Sequence, residues 1–211
     1  MSILDASTLG AAAPICYTNG RGRAARKTSP QEARLTIDDL LLLDREWAKS
    51  DRFHSTELIG GRIYHTPARY TPRAGAVTRL LLTLRDALAD IPNAPTIINR
   101  ASIAMSPHDL PLPDLVLTSQ PDGPGFVPCD SFRLVIEVAE SAVSFFTGVK
   151  LRMYARHGIP EYWVVDLKGR KIDQFWSAAE GQFAEDRVVV LGERIEAATI
   201  AGLSAETGGL A

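Results

Sequence analysis

The sequence predicts a mixed α/β sheet flanked by helices, of the α+β kind rather than a doubly wound one. Three observations carry that expectation. Val77, Leu80, Leu81, Leu84 and Leu88 recur at spacings of three and four, the core stripe of a long amphipathic helix. Leu115-Val116-Leu117 and Leu134-Val135-Ile136-Glu137-Val138-Ala139 are short apolar runs of strand length. No glycine-rich loop joins a strand to a helix, which sets aside Rossmann and P-loop chemistry. With 211 residues and 45% hydrophobic content, the chain can bury one substantial core.

The elements follow in order. Residues 1–33 show neither a strand nor a helix period and read as a flexible extension. Arg21, Arg23, Arg26 and Lys27 lie in it, a basic cluster that suits either a solvated tail or a nucleic-acid backbone. The domain is expected over 34–200. Thr36 followed by Asp38 and Asp39 opens a short helix through about Asp44. Gly60-Gly61 joins a strand pair around Glu57–Ile59 and Arg62–Tyr64. Pro72 starts the long helix, which runs to about Asp90. Strands are expected near 96–105, 114–118 and 133–139, then a helix over 147–157 stopped by His157-Gly158 and Pro160. Glu161–Asp166 and Lys171–Trp176 form an exposed-edged hairpin around Lys168-Gly169-Arg170, and a last strand near 187–191 pairs onto it. Residues 201–211 are Gly/Ala/Ser-rich and read as a weakly structured C-terminal tail.

Composition narrows the function. A net charge of −2 and a pI near 6.1 argue against a histone-like coat protein, not against a local basic groove. Cys16 and Cys129 are the only cysteines, so no disulfide framework is expected and a reducing cytoplasm is the expected compartment. The first residues lack the positive start of a secretory signal, and no run of about 18 apolar residues exists to span a membrane.

The chemistry is concentrated in Asp114, Glu137 and Lys150. A carboxylate inside an apolar strand carries a desolvation cost that asks for a use. Two of them followed by a lysine are the parts of a magnesium site that cuts phosphodiesters. Side-chain alternation puts Asp114 with Val116 and Thr118, and Glu137 with Val135 and Ala139, away from Leu134, Ile136 and Val138. Glu137 is therefore expected on whichever face the following helix leaves open. If the two strands are neighbours, both acids can meet on one metal. The same spacing also allows each to pair with an arginine such as Arg100 or Arg133. His54, His65, His108 and His157 lack metal-ligand spacing, which disfavours zinc. Tyr162, Trp163, Phe175 and Trp176 suit packing better than base stacking.

The block Leu134–Ser141 followed by Gly148–Asp166, with Glu57-Leu58-Ile59-Gly60-Gly61-Arg62 and Pro113-Asp114-Leu115-Val116 upstream, resembles the Uma-two family of restriction-type endonucleases over roughly 35–200. That family is placed in the PD-(D/E)XK nuclease superfamily, which implies a restriction-endonuclease-like core, a Mg2+ or Mn2+ cofactor and DNA as partner. The acid-x-lysine triplet would be Glu137-Val138-Ala139, with alanine where lysine is expected. The resemblance implies that Lys150 on the next helix replaces it and that Glu57 is an additional acid. Lys150→Ala is accordingly expected to abolish cutting while leaving folding intact. Glu57 reads equally well as a surface glutamate beside a turn.

Three positions depart from the family pattern. Phe146 stands where an aspartate is common, Pro72-Arg73-Ala74-Gly75-Ala76 lacks the usual histidine, and Gly60 replaces an aspartate. A weakened or inactive nuclease-fold protein, serving as a binding or scaffold module and homodimeric through the 161–176 hairpin edge, is the competing expectation.

Overall fold

A computed structural model of the chain describes residues 33–47, 55–66, 71–120 and 125–210. The N-terminal extension, its basic cluster, Cys16 and His54 lie outside the described residues.

Helix α1 (Ile37–Trp47) begins where Thr36 caps it: Asp39 N–H donates to Thr36 Oγ1, and the Thr36 N–H and hydroxyl donate back to Asp39 Oδ2. Strands β1 (Ser55–Ile59) and β2 (Arg62–Thr66) pair antiparallel around Gly60 and Gly61, both at positive φ, as a two-residue hairpin turn requires. Helix α2 (Thr71–Leu88) buries Ala76, Val77, Leu80, Leu84 and Leu88.

The main sheet has six strands in the order β3 (Thr96–Asn99), β4 (Leu115–Thr118), β5 (Phe132–Ala139), β6 (Glu161–Asp166), β7 (Lys171–Ala179) and β8 (Gln182–Val190). It is mixed: β5 and β6 run parallel, and every other neighbouring pair is antiparallel. Two cores sandwich it. Leu115, Leu117, Leu134, Ile136, Val138, Trp163 and Val165 face α2. Val116, Val135, Ala139, Tyr162 and Val164 face the helix after β5, together with Phe146, Met153 and Tyr154 from that helix. That helix is a composite of α3 (Val143–Phe145), a π turn over Phe146–Lys150, and α4 (Leu151–Arg156).

Several expectations are corrected. The strand expected over 96–105 stops at Asn99, where Arg100 adopts a left-handed conformation (φ 55°). The last sheet strand starts at Gln182, not near 187, and makes β8 the sheet edge, so the 161–176 hairpin lies inside the sheet. Residues 201–210 are folded. Strand β10 (Ser204–Glu206) pairs with β9 (Arg194–Glu196), and Leu203, Ala205 and Leu210 bury against the α2 core. Among the described residues no helix is long and apolar enough to cross a membrane.

Candidate active site

Strand register builds the site. Leu115 lies opposite Ile136 in the antiparallel β4–β5 ladder, so Asp114, one residue earlier, lies beside Glu137. Asp114 is fully buried at this sheet end. Its Oδ2 accepts the Val138 N–H at 2.8 Å and Arg73 Nη2 at 2.9 Å, and its carbonyl accepts the Arg100 N–H at 3.1 Å. Glu57 arrives from β1, which is tied to the segment before β4 by reciprocal backbone bonds between Leu58 and Leu110. Glu57 Oε1 accepts the Leu112 N–H at 2.6 Å.

Lys150 closes the cluster. It lies in the π turn, whose extra residue per turn is a device often found at functional sites. Its ammonium donates to Glu57 Oε1 at 2.5 Å and Glu137 Oε1 at 2.6 Å, with the side chain 1% exposed. The rings of Phe145 and Phe146 lie 5.9 and 5.5 Å from Lys150 Nζ. Tyr154, one helical turn on, donates its hydroxyl to Glu137 Oε1 at 3.0 Å.

Electrostatics follow from burial. Desolvation pushes the Glu137 carboxyl up to about 7; Lys150 opposes the rise, while Asp114 and Glu57 add to it. Desolvation works against the Lys150 charge, but Glu137 and Glu57 outweigh it and hold the ammonium above its ordinary value. Burial and the same acids push the Tyr154 and Tyr162 phenols well up, so both are neutral donors. The three acids thus face the charges of Arg73, which pairs with Asp114, and Lys150, which pairs with both Glu57 and Glu137.

Among the described residues no group of three or more His, Cys, Asp or Glu is arranged to hold a metal ion. Magnesium needs less than that: it takes one or two carboxylates and keeps several waters. The oxygen donors of Asp114 and Glu137 fit such a hard cation in kind. Both hydrogen bonds to Glu137 fall on Oε1, so Oε2 accepts none among the described residues.

The structure brings Asp114, Glu137, Lys150 and Glu57 into one cluster, with three differences from expectation. Glu137 is not on an open face: the 143–156 helix covers it, because that helix is apolar on the side bearing Phe146, Met153 and Tyr154. Lys150, expected only to stand in for the triplet lysine, hydrogen-bonds both Glu137 and Glu57. Glu57 is 3% exposed, so it is no surface glutamate. Sequence reasoning missed Arg73 and Tyr154. Tyr154 was findable, being four residues beyond Lys150 on the same helix face; Arg73 offered no such signal, since it reaches Asp114 from 41 residues away in sequence.

Two other polar groups are structural. Glu161, fully buried on the α2 face, accepts from Trp163 Nε1, Gln174 Nε2, Ala198 N–H, and the Thr199 N–H and hydroxyl. Asp109 binds Gly60 N–H, the Ser106 hydroxyl and His157 Nε2, linking the end of α4 to the β1–β2 hairpin. Tyr162 stacks on Phe175 at 6.2 Å between centroids, consistent with packing.

A solved structure of an Anabaena variabilis protein, described as "a putative nuclease belonging to DUF820", shares the fold. Its TM-score is 0.61 at 13% identity, covering 83% of this chain and 97% of that one. No curated protein matches the chain. The family model Uma2, described as "Putative restriction endonuclease", matches residues 39–208. That match spans most of the sequence and every element that builds the site, and the chain belongs to the Uma2 family.

Proposed function

We propose that this protein is a metal-dependent endonuclease that hydrolyses DNA phosphodiester bonds, with Asp114 and Glu137 holding Mg2+ or Mn2+. The observation that supports this most is Lys150, fully buried and clasped by Glu137 and Glu57 where β4 and β5 present Asp114. A lysine is rarely buried without a partner or a task. The bound cation supplies an acidified water and neutralises charge on the phosphate.

The chain's own groups do the rest. Lys150, kept protonated by its two acids, offers N–H donors to a water or to a phosphate oxygen gaining charge. Glu57 fixes the lysine on the side away from α2 and is itself fixed by the Leu112 N–H. The Tyr154 hydroxyl holds Glu137 by Oε1 and so orients the carboxylate. Phe145 and Phe146 form an apolar wall beside the ammonium that limits water.

A second reading, an inactive nuclease-fold module, is favoured by one observation: every acid of the cluster already carries a protein cation. The two readings separate in a plasmid-nicking assay with Mg2+, Mn2+ or EDTA. We expect slow nicking favoured by Mn2+, which binds such sites more tightly than Mg2+, lost in Glu137→Gln and in EDTA. Absence of nicking, with no thermal shift from either metal, leaves the module.

A further inference from the structure

We propose that Arg73 is the phosphodiester-binding residue of this site, resting on Asp114 until cation and substrate arrive. The inference rests on the nuclease reading above and adds to it a substrate contact on α2. Arg73 lies in the first turn of α2, whose apolar stripe packs the far face of the sheet, so its side chain reaches around to the sheet end at Asp114. The side chain is 12% exposed, and its guanidinium carbon lies 6.0 Å from the centre of the Phe146 ring.

One donor is left over. Arg73 Nη2 is bonded to Asp114 Oδ2, but Arg73 Nε is buried and has no hydrogen-bond partner. The Nε–H and Nη2–H groups form one edge of the guanidinium plane, spaced to meet two oxygens of a single carboxylate or phosphate. Asp114 fills only half of that edge, with its Oδ2 on Nη2 and no acceptor on Nε. A lysine would neutralise Asp114 without leaving a donor stranded, and a stranded buried donor is destabilising. The two non-bridging oxygens of a phosphodiester match the whole edge. Asp114 Oδ2, which Arg73 now holds, would be the oxygen shared with a divalent cation, and loss of that bond would leave the fork free for the phosphate. Phe146 gives the guanidinium an apolar backing.

The test uses the full chain as native protein, Arg73→Ala and Arg73→Lys. A short mixed-sequence DNA duplex is titrated by fluorescence anisotropy in Ca2+ over a range of salt. Mn2+ alone is titrated by calorimetry. In Arg73→Ala, duplex binding should weaken about tenfold, the size of one good bidentate contact, and the log–log salt slope should fall by about one. A merely structural arginine lowers the melting temperature and leaves that slope alone. Mn2+ should bind Arg73→Ala more tightly than the native chain, since the competing guanidinium is gone. Arg73→Lys keeps the charge and the salt slope but loses the fork, so its duplex affinity should also fall; it carries the test if Arg73→Ala does not fold. Native-like duplex affinity in Arg73→Lys, from a native chain that cuts DNA, overturns this inference alone. A native chain that neither takes up Mn2+ nor cuts overturns the nuclease reading and this inference together.

Discussion

At the residue scale, burial decides how the cluster behaves when it is disturbed. Lys150 is fully enclosed with two acids, so its removal leaves Glu57 and Glu137 facing each other without a counterion. Lys150→Met should therefore abolish nicking and also destabilise the fold by about 3 kcal/mol, a typical cost of breaking a buried ion pair. That replaces the expectation of a variant silent for folding; urea titration beside the nicking assay checks both. Glu137 gives a pH signature. Its carboxyl rises from 4.5 in the unfolded chain to about 7 in the fold, so between those values the folded state binds the extra proton. Stability of the metal-free protein should then fall as pH rises from about 4.5 to 7. Glu137→Gln should flatten that part of the profile. A native profile that climbs through the same window would contradict the assignment.

At the scale of elements, the acid that looks most like Glu137 serves another purpose. Glu161 is as buried as Glu137, yet it is met by five donors that tie β6 to β7 and to the turn after β9. Glu161→Ala strands the Trp163 indole N–H and two backbone N–H groups, for a loss of about 3 kcal/mol. Nicking per folded molecule should stay native, because this network faces α2 and not the Lys150 cluster. The β1–β2 turn is equally specific. Gly61 has φ +76°, and a Cβ there would meet Arg34 Cβ at 2.6 Å and its Cα at 3.0 Å. Gly61→Ala should cost about 2 kcal/mol through strain and the clash, read as a lowered melting temperature. It should also lower activity, because β1 carries Glu57.

At the scale of the whole molecule, the C-terminal segment belongs to the core. Leu203, Ala205 and Leu210 join the buried cluster of the α2 stripe, and Arg79 of α2 donates to the Gly209 carbonyl. Removing residues 201–211 should cost about 4 kcal/mol, from exposing two leucine side chains and the helix face they cover. Its measure is the shift in the denaturation midpoint. An unchanged midpoint would return this segment to the status of a tail.

What the sequence determined by itself is what depends on near neighbours along the chain. The three-and-four spacing of Val77, Leu80, Leu84 and Leu88 made α2, Gly60-Gly61 made its hairpin, and strand alternation put Asp114 and Glu137 on faces opposite Leu115 and Ile136. The residue pattern singled out Lys150 together with the two acids, while the family resemblance, not spacing, added Glu57 and gave Lys150 the place of the missing triplet lysine. Tertiary structure alone decided which face the 143–156 helix would cover, and hence that Glu137 is enclosed rather than open. It decided that Arg73, 41 residues before Asp114, would reach it. It also decided that Leu203, Ala205 and Leu210 would count as core, although small residues around them hide any period. Local periodicity fixes which side chains share a face; burial of a charge and the partner that offsets it depend on segments far apart in sequence, brought together only when the sheet and its two layers close.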